Sequence, residues 1–320
     1  MPDKRGPDRP DPSPSDIPRG GWVDRYASRA IRPYIRLARL DRPIGSWLLL
    51  FPCWWAIALA SPDPLTPEFA ALFILFGIGA VTMRGAGCTY NDICDRDFDA
   101  QVARTRDRPL PAGEVTIVQA GLFMGVLLAI GFAVLISFNP FAIGVGVASL
   151  VLVFTYPLMK RVTFWPQFFL GLAFNWGALL AWVAHAGSLS APPLLLYASG
   201  IAWTLFYDTI YAHQDREDDA LIGIKSTARL FGARTGKWLG LFLMSAVTLM
   251  TLALLAALLP DANPLKLMLA LAAPWGFGWH MLWQMQRLDI DRPEVCLRLF
   301  RANRETGLIA ALFLAASALA

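Results

Sequence analysis

The sequence predicts an all-α integral membrane protein with nine transmembrane helices, on three observations. Of its 320 residues 56% are hydrophobic and only 16% charged, with a mean hydropathy of +0.48, well outside the range of a soluble domain. Apolar windows of roughly 20 residues, the length that crosses a bilayer as a helix, recur nine times. Lys and Arg fall almost wholly in alternate connections between those windows.

The windows lie near residues 44–60, 69–90, 117–136, 141–157, 166–184, 192–213, 236–258, 265–285 and 306–320, the first and last being short. Strand-like alternation nowhere runs far enough for a barrel. The segment before the first window carries ten basic residues from Lys4 to Arg42. Arg96, Arg104, Arg106 and Arg108 follow the second window, Lys160 and Arg161 the fourth, Arg216 to Lys237 the sixth, and Arg287 to Arg304 the eighth. Across the four opposite connections only Lys266 is basic. The positive-inside bias then places the N-terminus and the even-numbered connections on the cytoplasmic side. The expected location is a bacterial cytoplasmic (inner) membrane, crossed many times. The net charge of +4 follows from orientation and needs no nucleic-acid partner.

Residues 1–20, rich in Pro, Asp, Arg and Ser, cannot bury enough apolar surface to fold alone. A disordered cytoplasmic tail is expected over residues 1–30 and a polytopic domain over 31–320. An apolar stretch preceding a small-residue cleavage site is missing, which argues against a secretory signal; Asp3, Asp8, Asp11 and Asp16 argue against an organellar transit peptide. The four cysteines, Cys53, Cys88, Cys94 and Cys296, have no paired spacing and read as packing thiols.

Two acidic runs stand where apolar helices reach the membrane surface: NDICDRDFD over Asn91–Asp99, and DREDD over Asp215–Asp219 with Asp208 upstream. Carboxylates this dense repel one another and call for a cationic partner, a divalent metal first of all. On a helix continued from the second window, Asn91, Asp95 and Asp99 share an arc of about 80°, with Arg84 two turns earlier on nearly the same face. Asp208, Asp215 and Asp219 share a face at spacings of seven and four, with Tyr211 beside them. Mg²⁺ takes one or two carboxylates, waters and phosphate oxygens, which suits two sparse ladders. Asp92, Asp97, Glu217 and Asp218 lie off these faces, where a solvated helix-end role stands beside a functional one.

Cations flank both ladders in RTRDRPLPAG, TYPLMKR and GIKSTARLFG. Arg, Lys and metal together clamp a diphosphate, although the positive-inside bias alone accounts for at least one of Arg104, Arg106 and Arg108. Tyr156 stands one turn before Lys160. His185 lies in an outside connection and His280 in the eighth window, so neither can meet His213 in a metal site, and His213 is expected to hydrogen-bond rather than ligate.

NDICDRDFD with RTRDRPLPAG, and later YDTIYAHQDREDDALIGIKSTA, resemble the motifs of the UbiA superfamily of intramembrane prenyltransferases. RLDRPIGSWLLLFP and YPLMKRVTFWPQ resemble its 4-hydroxybenzoate polyprenyltransferase branch, and the likeness covers about residues 37–310. The resemblance implies a nine-helix bundle around a central cavity open to the cytoplasmic side and the bilayer. It implies that Asn91, Asp95, Asp208, Asp215 and Asp219, with Asp99 close by, bind Mg²⁺ bridging a polyprenyl diphosphate. Arg108 and Lys160 would contact the diphosphate, Tyr156 and Tyr211 would position it, and Arg84 and Arg42 would meet the acceptor carboxylate. The implied reaction transfers a polyprenyl chain to the carbon ortho to the hydroxyl of 4-hydroxybenzoate, in ubiquinone biosynthesis. Other acceptors in the superfamily would use the same ladders. A cation-coupled transporter is disfavoured, because the acids cluster at one face rather than at mid-depth.

Overall fold

The computed structural model describes residues 15–18, 20–61, 65–102, 104–216, 223–261 and 263–320. These residues form helices, turns and loops, with no strand among them. Two compact units share the chain: residues up to Pro43 with Gly85–Leu128, and Ile44–Arg84 with Ala129–Ala320.

The first unit opens with short helices α1 (Trp22–Tyr26) and α2 (Arg32–Leu37), within and just after the segment assigned above to the tail. Asp24 ties them, accepting from Arg36 at 2.8 Å and from the Gly20 backbone N–H at 2.8 Å. The unit also holds the end of α4 (Pro67–Asp99) and the start of α5 (Ile117–Leu135). Thr116 and Gln119 launch α5 as a capping box: the Gln119 carbonyl oxygen accepts from the Thr116 N–H at 2.9 Å, and the Thr116 hydroxyl accepts from the Gln119 N–H at 3.2 Å. The core here is small, with Leu37, Leu110, Val115 and Ala120 buried against Tyr34, Ile93 and Phe123.

The second unit contains α3 (Ile44–Ala60), α6 (Pro140–Val162), α7 (Pro166–Ala186), α8 (Ala191–Ala212), the short α9 (Thr227–Phe231), α10 (Thr235–Leu258), α11 (Pro264–Gln286), α12 (Pro293–Arg301) and α13 (Asn303–Ala318). Proline in the first turn starts α6, α7, α8, α11 and α12, where a missing N–H costs nothing. Asn139 and Asn263 cap α6 and α11 with their side-chain oxygens. Gly187, at φ +69°, ends α7 in the left-handed conformation that glycine adopts without strain. Helix α8 packs on α7 and α10, α3 on α7 and α13, and α11 on α10 and α13.

Aromatic packing fills the centre: Trp55 meets Trp203 at 5.2 Å and Phe277 at 5.7 Å between ring centroids. Gly307 has no side chain where Phe51 lies against it, and its carbonyl accepts from the Trp55 indole at 3.1 Å. A chain of buried polar groups from α8, α11 and α13 is paired, as an apolar surrounding favours. Trp203 Nε1 donates to Asn303 Oδ1 at 2.9 Å, Asn303 Nδ2 to Gln284 Oε1 at 2.9 Å, and Gln284 Nε2 to the Thr306 hydroxyl at 3.0 Å. Thr306 also bonds His280 at 2.7 Å. Helix α12 is amphipathic, with Val295, Cys296 and Leu299 buried and Arg298 and Arg301 in its last turn.

Each of the nine predicted windows coincides with a helix among the described residues, to within two residues at its end. Five stretches are long and apolar enough to cross a membrane: Pro67–Asp99, Ile117–Leu135, Pro140–Val162, Pro166–Ala186 and Thr227–Leu258. Ile44–Ala60 is apolar but has 17 residues. α8 and α11 have the length, at 22 and 23 residues, but Tyr, Trp, His and Gln dilute their apolarity. Large apolar side chains such as Leu122, Val126, Val151, Met244 and Trp275 point outward, and in α5 only Ala120 is buried. A hydrocarbon solvent makes such exposure favourable. All four cysteines are free thiols, and Cys53, Cys88 and Cys296 are buried.

Candidate active site

The first run is helical to its last residue: α4 continues unbroken to Asp99, so Asn91, Asp95 and Asp99 keep the four-residue spacing that stacks them on one face. Asp95 and Asp99 are buried and Asn91 partly so, whereas Asp97 is exposed, as its off-face position suggests. Asp92 departs from the solvated reading. It is fully buried, and Arg39 Nη2 donates to both its carboxylate oxygens, at 2.6 and 2.9 Å. Arg39 holds this position from a left-handed backbone at φ 58°, a conformation of order 1 kcal/mol or more above the usual wells for a residue with a Cβ.

Arg108 joins the same cluster. Its Nη1 donates to Asp99 at 2.9 Å and to Asp92 at 3.3 Å, while Nε and Nη2 donate to Asp16 at 3.2 and 2.8 Å. Arg42 pairs with Asp41 at 2.8 Å and with Asp16 at 3.5 Å, and Arg104 reaches Asp16 at 3.6 Å. Burial pulls the Arg108 guanidinium toward losing its proton, but Asp16, Asp92 and Asp99 outweigh this and hold it more firmly charged than usual. Burial likewise raises Asp16, yet Arg108, Arg42, Arg104 and Arg39 bring its carboxyl down to about 2. Arg106 is exposed and pairs loosely with Asp107 at 3.9 Å, which fits the positive-inside role.

The second run differs from its expected register. The α-helix ends at Ala212 and His213–Asp215 wind as a 3₁₀ turn. Three residues at the tighter pitch rotate Asp215 by roughly 60°, from about 20° on one side of Asp208 to about 40° on the other, which leaves the two acids on one face. Asp219, Glu217 and Asp218 lie outside the described residues. Tyr211 rests on Phe300 at 4.4 Å between centroids. His213 hydrogen-bonds Thr235 at 3.1 Å, as expected of it.

Arg84, on the same unbroken α4 as the first run, lies within electrostatic reach of Asp208. Its guanidinium lies over the Phe174 ring at 5.0 Å and against Gly45, where a Cβ would come within 2.8 Å of Cζ. Lys160 and Tyr156 sit in the last turns of α6. The Lys160 carbonyl accepts from the Lys225 N–H at 2.9 Å, and Lys225 Nζ donates to the Val162 carbonyl at 3.0 Å. That spends the lysine of GIKSTARLFG on anchoring its own loop.

The structure thus gathers Asn91, Asp95, Asp99, Arg108 and Arg42 in one unit and Arg84, Asp208, Tyr211 and Asp215 in the other. Sequence reasoning missed Arg39 and Asp16: one was counted only as positive charge, the other fell in the presumed tail. A signal for Arg39 exists in the basic residues recurring every third position at 36, 39 and 42.

Among the described residues no group of three His, Cys, Asp or Glu side chains is close enough to hold a metal alone. Asn91 and Asp95, one turn apart on α4, supply a pair of oxygen donors, and Asp208 and Asp215 lie at the end of α8. This fits a hard cation whose remaining ligands come from waters and a phosphate.

Helices long and apolar enough to cross a membrane, with acidic side chains and guanidinium groups at the end of α4, define a protein of the polytopic membrane class. The family model described as the UbiA prenyltransferase family matches residues 49–315, and the chain belongs to that family. It is 50% identical over 307 residues to the Bos taurus protein named "4-hydroxybenzoate polyprenyltransferase, mitochondrial", covering 93% of this chain and 80% of the relative. The Homo sapiens protein of that name is 49% identical over 285 residues, covering 88% and 74%. Among solved structures, the apo UbiA homolog from Aeropyrum pernix superposes with a TM-score of 0.69 at 24% identity, covering 86% of this chain and 98% of the other. A UbiA homolog from Archaeoglobus fulgidus bound to GPP and Mg²⁺ superposes at 0.69 with 20% identity, covering 90% and 98%. These two likenesses establish the fold.

One expectation is corrected here. Relatives at 45 to 50% identity from cattle, rat, human and Arabidopsis thaliana are named as mitochondrial, so a bacterial inner membrane is not supported. Basic residues in alternate connections report sidedness, which is common to many membranes, and not the identity of the membrane.

Proposed function

We propose that the chain transfers a polyprenyl group from polyprenyl diphosphate to the ring carbon ortho to the hydroxyl of 4-hydroxybenzoate, a step of ubiquinone biosynthesis. The observation that carries this reading is the identity of about one residue in two, over some nine-tenths of the chain, to relatives named for that activity. The catalytic domain spans residues 31–320, preceded by a tail, and its nine membrane spans surround a cavity that opens on the face bearing the basic loops.

In this reading Asn91, Asp95 and Asp99 of the first run and Asp208, Asp215 and Asp219 of the second bind Mg²⁺ together with the diphosphate. When bound, Mg²⁺ neutralises charge on the departing diphosphate. Arg108 and Lys160 add positive charge at the same oxygens, and Tyr156 and Tyr211 orient the group. The C1–O bond of the prenyl diphosphate breaks with its electron pair on oxygen, leaving an allylic cation. The phenol ring supplies the electrons for the new C–C bond and then releases its ring proton. Arg84 and Arg42 hold the acceptor carboxylate, which sets the ortho carbon toward the cation. Exclusion of water by the apolar helices protects the cation from capture.

The test is to incubate membranes containing the full chain with radiolabelled 4-hydroxybenzoate, a polyprenyl diphosphate and Mg²⁺. A lipid-soluble labelled product suppressed by EDTA is expected. Product with homogentisate or a naphthoate but not with 4-hydroxybenzoate would reassign the acceptor, and no product with any of them would overturn the reading.

A further inference from the structure

Arg108 is enclosed by three carboxylates of its own unit. Nη1 faces Asp92 and Asp99, and Nε and Nη2 both face Asp16. Four of its five N–H donors are thus given to carboxylates, and an incoming phosphate can take Arg108 through two parallel N–H groups only when one carboxylate leaves.

The three are not equally held. Asp92 is fully buried and gripped by Arg39 through both oxygens, so moving it would strand a buried charge. Asp99 closes a continuous 33-residue helix, and its displacement would unwind the turn that carries it. Asp16 precedes the first helix. Besides its side-chain ion pairs it is kept in place by two backbone contacts, its N–H donating to the Arg104 carbonyl at 2.9 Å and its carbonyl accepting from Arg42 Nη1 at 3.1 Å. It is the carboxylate that costs least to withdraw.

Accordingly, we propose that Asp16 is an intramolecular occupant of the diphosphate site, which prenyl diphosphate must displace from Arg108, and that Asp16 thereby sets the apparent affinity for that substrate. The inference rests on the assignment of Arg108 to the diphosphate. Charge favours the exchange: a carboxylate offers one negative charge, a diphosphate ester two or three in the same arginine field. Protonation plays no part, since the carboxyl of Asp16 is held at about 2 and stays ionised under assay conditions. Competition from within reduces apparent affinity by the fraction of chains whose site is free.

The experiment measures KM for the prenyl diphosphate in the full chain and in Asp16→Asn, Asp16→Glu and Arg108→Lys, all in membranes. KM is expected to fall about ten-fold in Asp16→Asn, the change for a site open in roughly one chain in ten, and to stay high in Asp16→Glu. A chain lacking residues 1–18 should show the same fall, which covers the case that Asp16→Asn folds poorly. An Asp16 that served only as a strut for Arg108 would give the reverse, a raised KM or lost turnover, and that result or an unchanged KM would overturn the inference. Arg108→Lys separates the two failures. If it leaves KM unchanged, the assignment of Arg108 to the diphosphate is wrong; if it raises KM while the Asp16 variants do not lower it, only the displacement is wrong.

Discussion

In the unit that carries the first acidic run, four buried apolar side chains form the core, and Arg39, Arg42, Arg104 and Arg108 are threaded among Asp16, Asp41, Asp92 and Asp99. In the unit that carries the second run, Trp55, Trp203, Phe51, Phe206 and Phe277 are fully buried, and amide and hydroxyl groups answer one another between α8, α11 and α13. The first is organised by charge and the second by volume and neutral hydrogen bonds. The comparison teaches that acids can be kept at an apolar boundary in two ways. One supplies counter-ions from the chain itself, and the other sets the acids at the end of a rigidly packed helix.

Four measurements put that contrast to the test. The largest effect is expected at the proposed metal ligands: Asp95→Ala and Asp215→Ala should each reduce prenyl transfer at least about 100-fold, the scale for losing one stabiliser of developing charge, while the protein still inserts. Turnover near normal in both purified variants would refute the metal–diphosphate reading. Next comes stability. Arg39→Met should destabilise by about 3–5 kcal/mol because the buried Asp92 loses the partner that grips both its oxygens, and Trp203→Ala should cost about as much through the cavity it leaves. The two should part on rescue, since adding Asp92→Leu to Arg39→Met should restore much of the loss in thermal unfolding, and no charge change should restore Trp203→Ala.

Gly45→Ala is expected to raise KM for 4-hydroxybenzoate about ten-fold, as for one charge-assisted hydrogen bond lost, because its methyl group would occupy the space of the Arg84 guanidinium. KM for the prenyl diphosphate should be little changed, and equal effects on both substrates would remove Arg84 from the acceptor site. The smallest effect belongs to Asp97→Asn. An exposed acid off the ladder should alter neither stability by more than about 0.5 kcal/mol nor turnover by as much as two-fold.

Much of this was legible in the sequence because membrane helices are written in one-dimensional terms. The window 44–60 and helix Ile44–Ala60 coincide, and each of the other eight windows matches a helix to within two residues at its end, since apolar length and the prolines or asparagines that start a helix are local properties. The ladder Asn91, Asp95, Asp99 needed only that α4 continue, which it does. The second ladder was less legible: the change from α to 3₁₀ winding after Ala212 depends on what the chain packs against, and spacing alone assumes a constant pitch. Helix α12 was hidden because its charged face masks it from any apolar window. Asp92 was ambiguous for another reason, because whether an off-face acid is buried depends on an arginine 53 positions away, and no periodicity reports such a pairing.

Arg39, Asp92 and Arg108 also carry a consequence for descent. Each is tolerable inside the protein only in the company of the others, so a lineage that loses one alone should pass through a poorly folding form. These three positions should therefore change together or not at all, and a distant member lacking one of them should be searched first for the loss of its partners.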